Sequence, residues 1–411
     1  MLDRLPVHRL RQLSSHLELI LVGVLPPLVR RNMYIELVGS LAYGVLYTSG
    51  IAFVPVVLRR TGASETMLAI YVASQFIGSL LSSLSIPLMQ RWKTKPVVLT
   101  CWFLSRASFA LWAFIVNPLW MLAVGAFFWT LEPFTGPGYT RILQLIYPTE
   151  VRGKVMGVVR VGRGMLMLLL APLAGWALDQ WGYRSLFPIA AAMGIVSTLT
   201  FSRVQFKEEE LSQQQGRNAP RLDQILRTDR RYTFFLITFT IFGIGTLLSW
   251  TIYPLVQVDR LHLSYSQLGW LEMVSSLFWL LGFILFGQIV DRYGGITALQ
   301  VTTAIAIVIP TTYIFARNGW MLIPAYVAQG LVNAGFDLGP ISAVLQLAKP
   351  NQVMEYAALQ STMIGLRGIV IPLVSVGLLH IGVPFSGVFG LSVFFMVVAL
   401  TMFRRVQKLT R

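Results

Sequence analysis

Eight ionisable residues lie inside long apolar runs of the chain: Glu36, Arg106, Glu132, Arg160, Arg163, Glu272, Asp337 and Arg367. Holding such a group in hydrocarbon costs on the order of 3 kcal/mol or more unless it faces a cavity or a partner, so each is a candidate for handling a ligand or a proton. Four acids and four arginines balance formally, which points to pairing. Counting from the nearest end of its run, Glu132 is about 14 Å deep and Arg163 about 15 Å deep from the same side. They are expected to pair, with Arg160, three residues earlier on the same helix face, as a second partner. Asp337 and Arg367 lie about 15 and 21 Å in, within reach of a long arginine side chain. Arg163 and Arg367 suit an anionic solute, because a guanidinium grips carboxylate or phosphate through two parallel bonds. Glu272 lies about 10 Å from the opposite edge with no evident partner, which makes it a candidate for taking up and releasing a proton. Glu36 is close enough to an edge to reach water, and Arg106 reads as a structural partner. Tyr43, Tyr47, Trp250, Tyr253, Gln329 and Asn333 are candidate cavity-lining residues, each equally readable as packing.

The elements that must position these residues follow from composition. Of 411 residues, 55% are hydrophobic and 12% charged, about half the charge of a soluble domain. Apolar runs of about 20 residues recur, each long enough to cross a bilayer core of ~30 Å. They are continuous rather than alternating, so the spans are helices, the only open-chain structure that satisfies its backbone in lipid. Twelve spans are expected: 33–57, 65–89, 96–116, 118–141, 153–178, 183–202, 232–256, 265–290, 296–316, 319–347, 353–379 and 383–403. With a cytoplasmic N-terminus, the cytoplasmic segments hold 24 Lys and Arg residues and the outer loops only 5. The positive-inside rule then places both termini in the cytoplasm of a cell that carries the chain in its inner or plasma membrane. The net charge of +16 is explained by those loops and calls for no nucleic-acid partner. Cys101 is the single cysteine and the four histidines are scattered, so neither a disulfide framework nor a metal site nor another cofactor is expected.

The chain divides into a basic amphipathic segment at 1–32, a six-helix bundle at 33–202, a cytoplasmic linker at 203–231, a second bundle at 232–403 and a basic tail at 404–411. The bundles echo each other. Trp120-Met121-Leu122 recurs as Trp320-Met321-Leu322. Leu143-Gln144-Leu145 with Pro148 recurs as Leu345-Gln346-Leu347 with Pro350, and Arg91 recurs as Arg292. Shifts of 200 to 202 residues at equivalent places argue for a duplicated six-helix unit whose copies share one orientation, with the solute site between them near the midplane.

The segment Gly287-Gln-Ile-Val-Asp291-Arg292-Tyr-Gly294 is similar to the cytoplasmic signature of the major facilitator superfamily, and the chain resembles that family along nearly its whole length after residue 32. The resemblance implies an all-α polytopic fold of two pseudo-symmetric bundles that works by alternating access. It also implies that Gly287, Asp291, Arg292 and Gly294 form a gating latch. The equivalent stretch Pro87–Lys95 keeps basic residues but lacks the Asp and the glycines. Pro172 and Gly175 match the end of a helix-five signature associated with antiporters. Sugar–proton symporters of this family use an acid on helix four and an arginine on helix five, which matches Glu132 with Arg163 and Asp337 with Arg367. The expectation is a monomeric secondary transporter for a small solute, coupled to protons. The alternative is a proton-driven exporter of amphipathic compounds. A membrane enzyme is disfavoured by the lack of a His cluster, a G-x-S-x-G elbow or a phosphate-cradling loop. A non-transporting receptor or assembly factor would have no need to bury these charges.

Overall fold

The computed structural model describes residues 23, 25–206, 222–349 and 352–410. Among them the chain forms twelve helical rods. Helix α1 is Pro27–Arg60, α2 is Glu65–Leu80 continued at an angle of 52° by Ser85–Trp92, and α3 is Thr94–Ala113. Helix α4 is Pro118–Phe134 continued by Gly136–Ile146. The stretch Thr149–Phe201 turns back at Gly182 into α5 (149–181) and α6 (183–201). Helix α7 is Arg230–Arg260, and Tyr265–Phe315 turns back at Gly294 into α8 (265–293) and α9 (295–315). Helix α10 is Gly319–Leu322 with Ile323–Leu347, α11 is Val353–His380, and α12 is Phe385–Thr410. The reversal at Gly182 is required by geometry. Arg163 and Phe201 line one cavity, yet a straight helix would hold them about 57 Å apart.

Seven of these stretches are apolar and long enough to cross a membrane, and the bent α2 makes an eighth. Two of the seven are the doubled stretches just described. The two remaining rods depart from the pattern for visible reasons: α4 is broken at Thr135, and α10 carries Gln329, Asn333 and Asp337.

The duplication leaves a mark in the backbone. Left-handed residues recur at the same turns of both halves: Gly62 (φ 94°) and His262 (φ 47°), Lys93 (φ 67°) and Gly294 (φ 82°), Gly182 (φ 70°) and Gly382 (φ 90°). Glycine adopts this conformation freely, whereas a side chain at Lys93 or His262 crowds its own backbone.

The starts of α1 and α3 meet the end of α6, where Asn32 donates to the Gln205 carbonyl (2.8 Å) and Lys95 to the Val204 carbonyl (2.7 Å). This end of the bundle is called the terminal face, and the opposite end the distal face. The halves meet through α5 with α8 and α2 with α11, two pairs that exchange under the six-helix shift. Lipid supplies no hydrophobic drive between helices, so close approach depends on small residues. Gly175 lies under the Tyr265 carbonyl, Gly269 against that of Ala171, and Gly368 beneath the ring of Phe76.

Several boundaries differ from the sequence reading. Helix α1 begins at Pro27 rather than 33, because a proline at the first helical position loses no hydrogen bond. Helix α12 runs on to Thr410 through the stretch assigned to a tail, and the linker contains a helix at Leu222–Thr228. Most of the amphipathic segment expected over 1–32, and residues 207–221 of the linker, lie outside the described residues.

Candidate solute and proton site

The first half encloses a cavity of about 230 Å³ lined by Glu36, Tyr43, Trp102, Arg106, Glu132, Tyr139 and Arg163, among others. Glu132 takes its cation from α3, not from α5. Arg106 Nη2 lies 2.7 Å from its Oε1, and Ser105 Oγ donates to its Oε2 at 2.9 Å. Arg106 also donates to Ser197 Oγ (3.0 Å) and Thr198 Oγ1 (3.2 Å), and its guanidinium lies over Trp102 and Tyr43 at 4.5 and 4.7 Å. The expected pair of Glu132 with Arg163 or Arg160 is therefore replaced by one with Arg106, the residue read as a structural partner. Residue counting gives depth along a rod but not the direction in which a side chain points, and Glu132 turns towards α3. Glu36 does not reach water as expected. It is 4% exposed and accepts hydrogen bonds from the hydroxyls of Tyr139 and Tyr147.

Arg163 and Asp337 occupy the space between the halves. Arg163 makes no ion pair among the described residues, and its Nε is buried without a hydrogen-bond partner. Its stem crosses α1 at Gly44, where a Cβ would lie 3.1 Å from Arg163 Cγ. The neighbouring Gly164 receives the Trp279 ring, and the Trp279 indole donates to Asp337 Oδ2 at 3.1 Å. Trp279 thus packs on the residue beside Arg163 and bonds Asp337, while the Arg163 side chain itself runs across α1. No ion pair joins Asp337 to Arg160 or Arg163 among the described residues. Arg160 is exposed. Tyr47 is 37% exposed in mid-span. Asp337 does not pair with Arg367, contrary to expectation. Arg367 is 6% exposed, lies 4.5 Å over the Phe239 ring and donates to the Phe239 carbonyl. Only a glycine at 243 leaves room for its guanidinium.

Towards the distal face a second cavity, of about 150 Å³, is lined by Glu272 with Trp250, Tyr253, Gln257, Tyr313, Tyr326 and Gln329. Gln257 donates to the hydroxyls of Tyr313 (2.7 Å) and Tyr326 (3.0 Å), and the Tyr253 ring stacks on Tyr313 at 4.3 Å. Gln329 donates to Asn333 at 2.8 Å. Glu272 has no hydrogen bond or ion pair among the described residues, a costly arrangement for a buried charge and one that suits a carboxyl carrying its own proton. Sequence reading missed Trp279, Gln257 and Tyr313, which carry no charge to mark them.

The cavity is closed distally. Arg59 clasps Asp259 through Nε (2.9 and 3.0 Å) and Nη2 (2.7 Å). Arg60 donates to the Leu263 carbonyl and lies 3.9 Å over the Tyr265 ring. Asp179 on α5 accepts from the backbone N–H groups of Tyr265 (3.0 Å) and Ser266 (2.7 Å) and from Ser266 Oγ (2.6 Å). It thereby covers the N-terminus of α8 from the other half. On the terminal face, Asp291 and Arg292 are exposed and make no hydrogen bond or ion pair among the described residues. Gly294 is the reversal between α8 and α9, and Gly287 has open space around it.

The Major Facilitator Superfamily model matches residues 37–319. Among solved structures, the chain resembles a mutant form of the nucleoside transporter NupG, with a TM-score of 0.69 at 13% identity over 92% of this chain and 99% of that one. It also resembles a bacterial homologue of the human lysosomal transporter Spinster in an inward-facing, unoccupied conformation. There the TM-score is 0.64 at 12% identity over 92% of this chain and 97% of that one. At such identities the likeness speaks for the fold. A search of curated protein sequences returns no significant match. The chain belongs to the Major Facilitator Superfamily and is a multi-pass membrane protein that acts as a secondary transporter.

Proposed function

We propose that this transporter couples the movement of a small polar solute to protons, with the solute between Arg163, Arg160 and Asp337 and the proton on Glu272. The observation that carries this reading is Glu272, an acid that lines a cavity and makes no ion pair or hydrogen bond among the described residues. Such a carboxyl is stable when protonated and becomes costly when it ionises, so its proton can be tied to the conformational cycle. Glu132, held by Arg106, and Arg367, held against α7, support the cavity wall in this reading. Tyr43, Tyr47, Trp250, Tyr253, Gln329 and Asn333 line the route. In this reading the bias of Lys and Arg assigns the terminal face to the cytoplasm of the cell membrane, the distal contacts close the outer side, and Gly287, Asp291, Arg292 and Gly294 would latch the terminal face.

The test begins with a thermal-shift screen of purified protein against a metabolite library at two pH values, since a ligand of the folded state raises the melting temperature. A hit is then carried into proteoliposomes. With an imposed proton gradient the wild type should accumulate it, while Glu272→Gln should keep solute exchange and lose accumulation. Accumulation by Glu272→Gln at the wild-type level would refute the proton assignment.

A further inference from the structure

The distal cavity is lined for charge of one sign. Glu272 borders it, and no Lys, Arg or His is among its lining residues; the other titratable groups there are the phenols of Tyr253, Tyr313 and Tyr326. Arg260, at the end of α7, lies outside the lining and donates to the carbonyls of Tyr313 and Ala316. The wall also spends its hydrogen-bond donors on itself. Gln257 Nε2 bonds the hydroxyls of Tyr313 and Tyr326, the Tyr253 hydroxyl donates to Ser249 Oγ (2.9 Å), and Gln329 Nε2 donates to Asn333. What remains for a ligand is a carboxyl with no hydrogen bond or ion pair among the described residues, set among the rings of Phe53, Trp250 and the three tyrosines.

We propose that this cavity is a second ligand site, for a small protonated amine whose ammonium group meets Glu272 and whose carbon body lies among the rings. The proposal rests on the reading above that Glu272 gives up its proton, so that amine and proton hold the same carboxyl in turn. An ammonium group brings both things the wall lacks, N–H donors and a positive charge, and a charged hydrogen bond of this kind is a strong one. Aromatic rings add to the attraction, because their faces are negative. Leu268, Ile309 and Ala325 offer apolar surface for the rest of the molecule. An anion would meet a carboxyl and ring faces of its own sign. A hard metal cation asks for about six oxygen ligands, and this wall is mostly ring and aliphatic carbon. Helix α1 supplies Ala52, Phe53, Pro55 and Val56 and the second half supplies the other lining residues, so a bound amine touches both halves.

The experiment is isothermal titration of the full-length protein, with empty micelles as the blank, using 2-phenylethylammonium, 2-phenylethanol and phenylacetate. The three share one carbon body and carry a positive, a neutral and a negative end. The amine should bind about 10- to 100-fold more tightly than the alcohol, the worth of one charged hydrogen-bonded contact, and the acid more weakly than either. Glu272→Gln should bring amine and alcohol within about threefold of each other while leaving the affinity for the alcohol unchanged, which an unfolded variant would not do. Ala52→Leu narrows the cavity from the other half without changing its charge and should weaken the amine at least about tenfold. The proposal is overturned if alcohol or acid binds as well as the amine, if Glu272→Gln keeps the preference, or if Ala52→Leu keeps the affinity. Should the amine fail while Glu272→Gln still loses gradient-driven accumulation, the proton reading stands and the amine site falls. Should the amine bind as stated while Glu272→Gln accumulates solute like the wild type, the site stands and the proton reading falls.

Discussion

Removal of the Asp179 side chain should open the distal face more than breaking the better-formed ion pair nearby. Of the contacts that close that face, two differ clearly in magnitude. Arg59 and Asp259 have ideal geometry, but their side chains remain 24% and 34% exposed. A solvated pair of this kind contributes about 0.5 kcal/mol, roughly a twofold bias. Asp179 acts on a helix end. The first turn of α8 has orphan N–H groups, of which Ser264 takes that of Gln267 through a capping box, while Asp179 takes those of Tyr265 and Ser266. Charge-assisted bonds to a helix N-terminus are strong where water is excluded. Asp179 is exposed, so a discounted total of about 1–2 kcal/mol is appropriate. Asp179→Ala should therefore shift the ratio of distal-open to distal-closed protein by about 5- to 30-fold, against about twofold for Asp259→Ala. The assay is electron–electron resonance between nitroxides at Arg184→Cys and Arg317→Cys, exposed distal residues on different halves, in a Cys101→Ala background. Asp179→Ala should add a longer distance that Asp259→Ala adds only weakly. If Asp259→Ala opens the face and Asp179→Ala leaves the distances unchanged, the reasoning from the helix end is refuted.

Two further outcomes follow from single residues. Lys93 holds φ 67° and ψ 151°, a region that side chains enter at a cost of order 1–2 kcal/mol, partly offset by the greater unfolded-state freedom of glycine. Lys93→Gly should stabilise the protein by about 0.5–1 kcal/mol and raise its melting temperature by a few degrees; an unchanged or lower melting temperature contradicts the strain. Arg106→Ala strands Glu132, whose side chain is 12% exposed, at a cost of about 3–5 kcal/mol. The Arg106→Ala, Glu132→Ala double variant should then melt higher than Arg106→Ala alone, and a double variant no better than the single one would show that the pair itself is not what holds α3 to α4.

Depth and rhythm were legible in the sequence; direction was not. The spans, their number and their repeat follow from hydropathy and from the 200-residue echo, because both depend on distance along the chain alone. A helix turns about 100° per residue, so an uncertainty of one or two residues in a span boundary leaves depth nearly intact and scrambles the face a side chain presents. That is why Glu132 was matched in depth to Arg163 but found its partner on α3, and why Asp337 and Arg367, plausible by reach, point to different neighbours. Trp279, Gln257 and Tyr313 left no signal because an aromatic or amide in a membrane helix is ordinary until its contacts are known. The signature around Asp291 and Arg292, expected to form a latch, makes no hydrogen bond or ion pair among the described residues, while Asp179, which does bind across the halves at the α8 terminus, was marked by nothing in the sequence reading.

The two copies of the duplicated unit have come to treat charge differently, and this asymmetry gives the site its character. The first copy answers its acids from within, Glu132 with Arg106 and Glu36 with Tyr139 and Tyr147, and so has Arg160 and Arg163 left to offer. The second copy leaves its two mid-span acids without a cation among the described residues: Asp337 has an indole N–H, and Glu272 makes no hydrogen bond or ion pair there. A duplicated fold with both copies self-satisfied would have no electrostatic reason to bring its halves together around a ligand. In the proposed mechanism the first half offers cations and the second offers acids, so that binding a solute or a proton would change the balance between the halves, which is the coupling that alternating access requires.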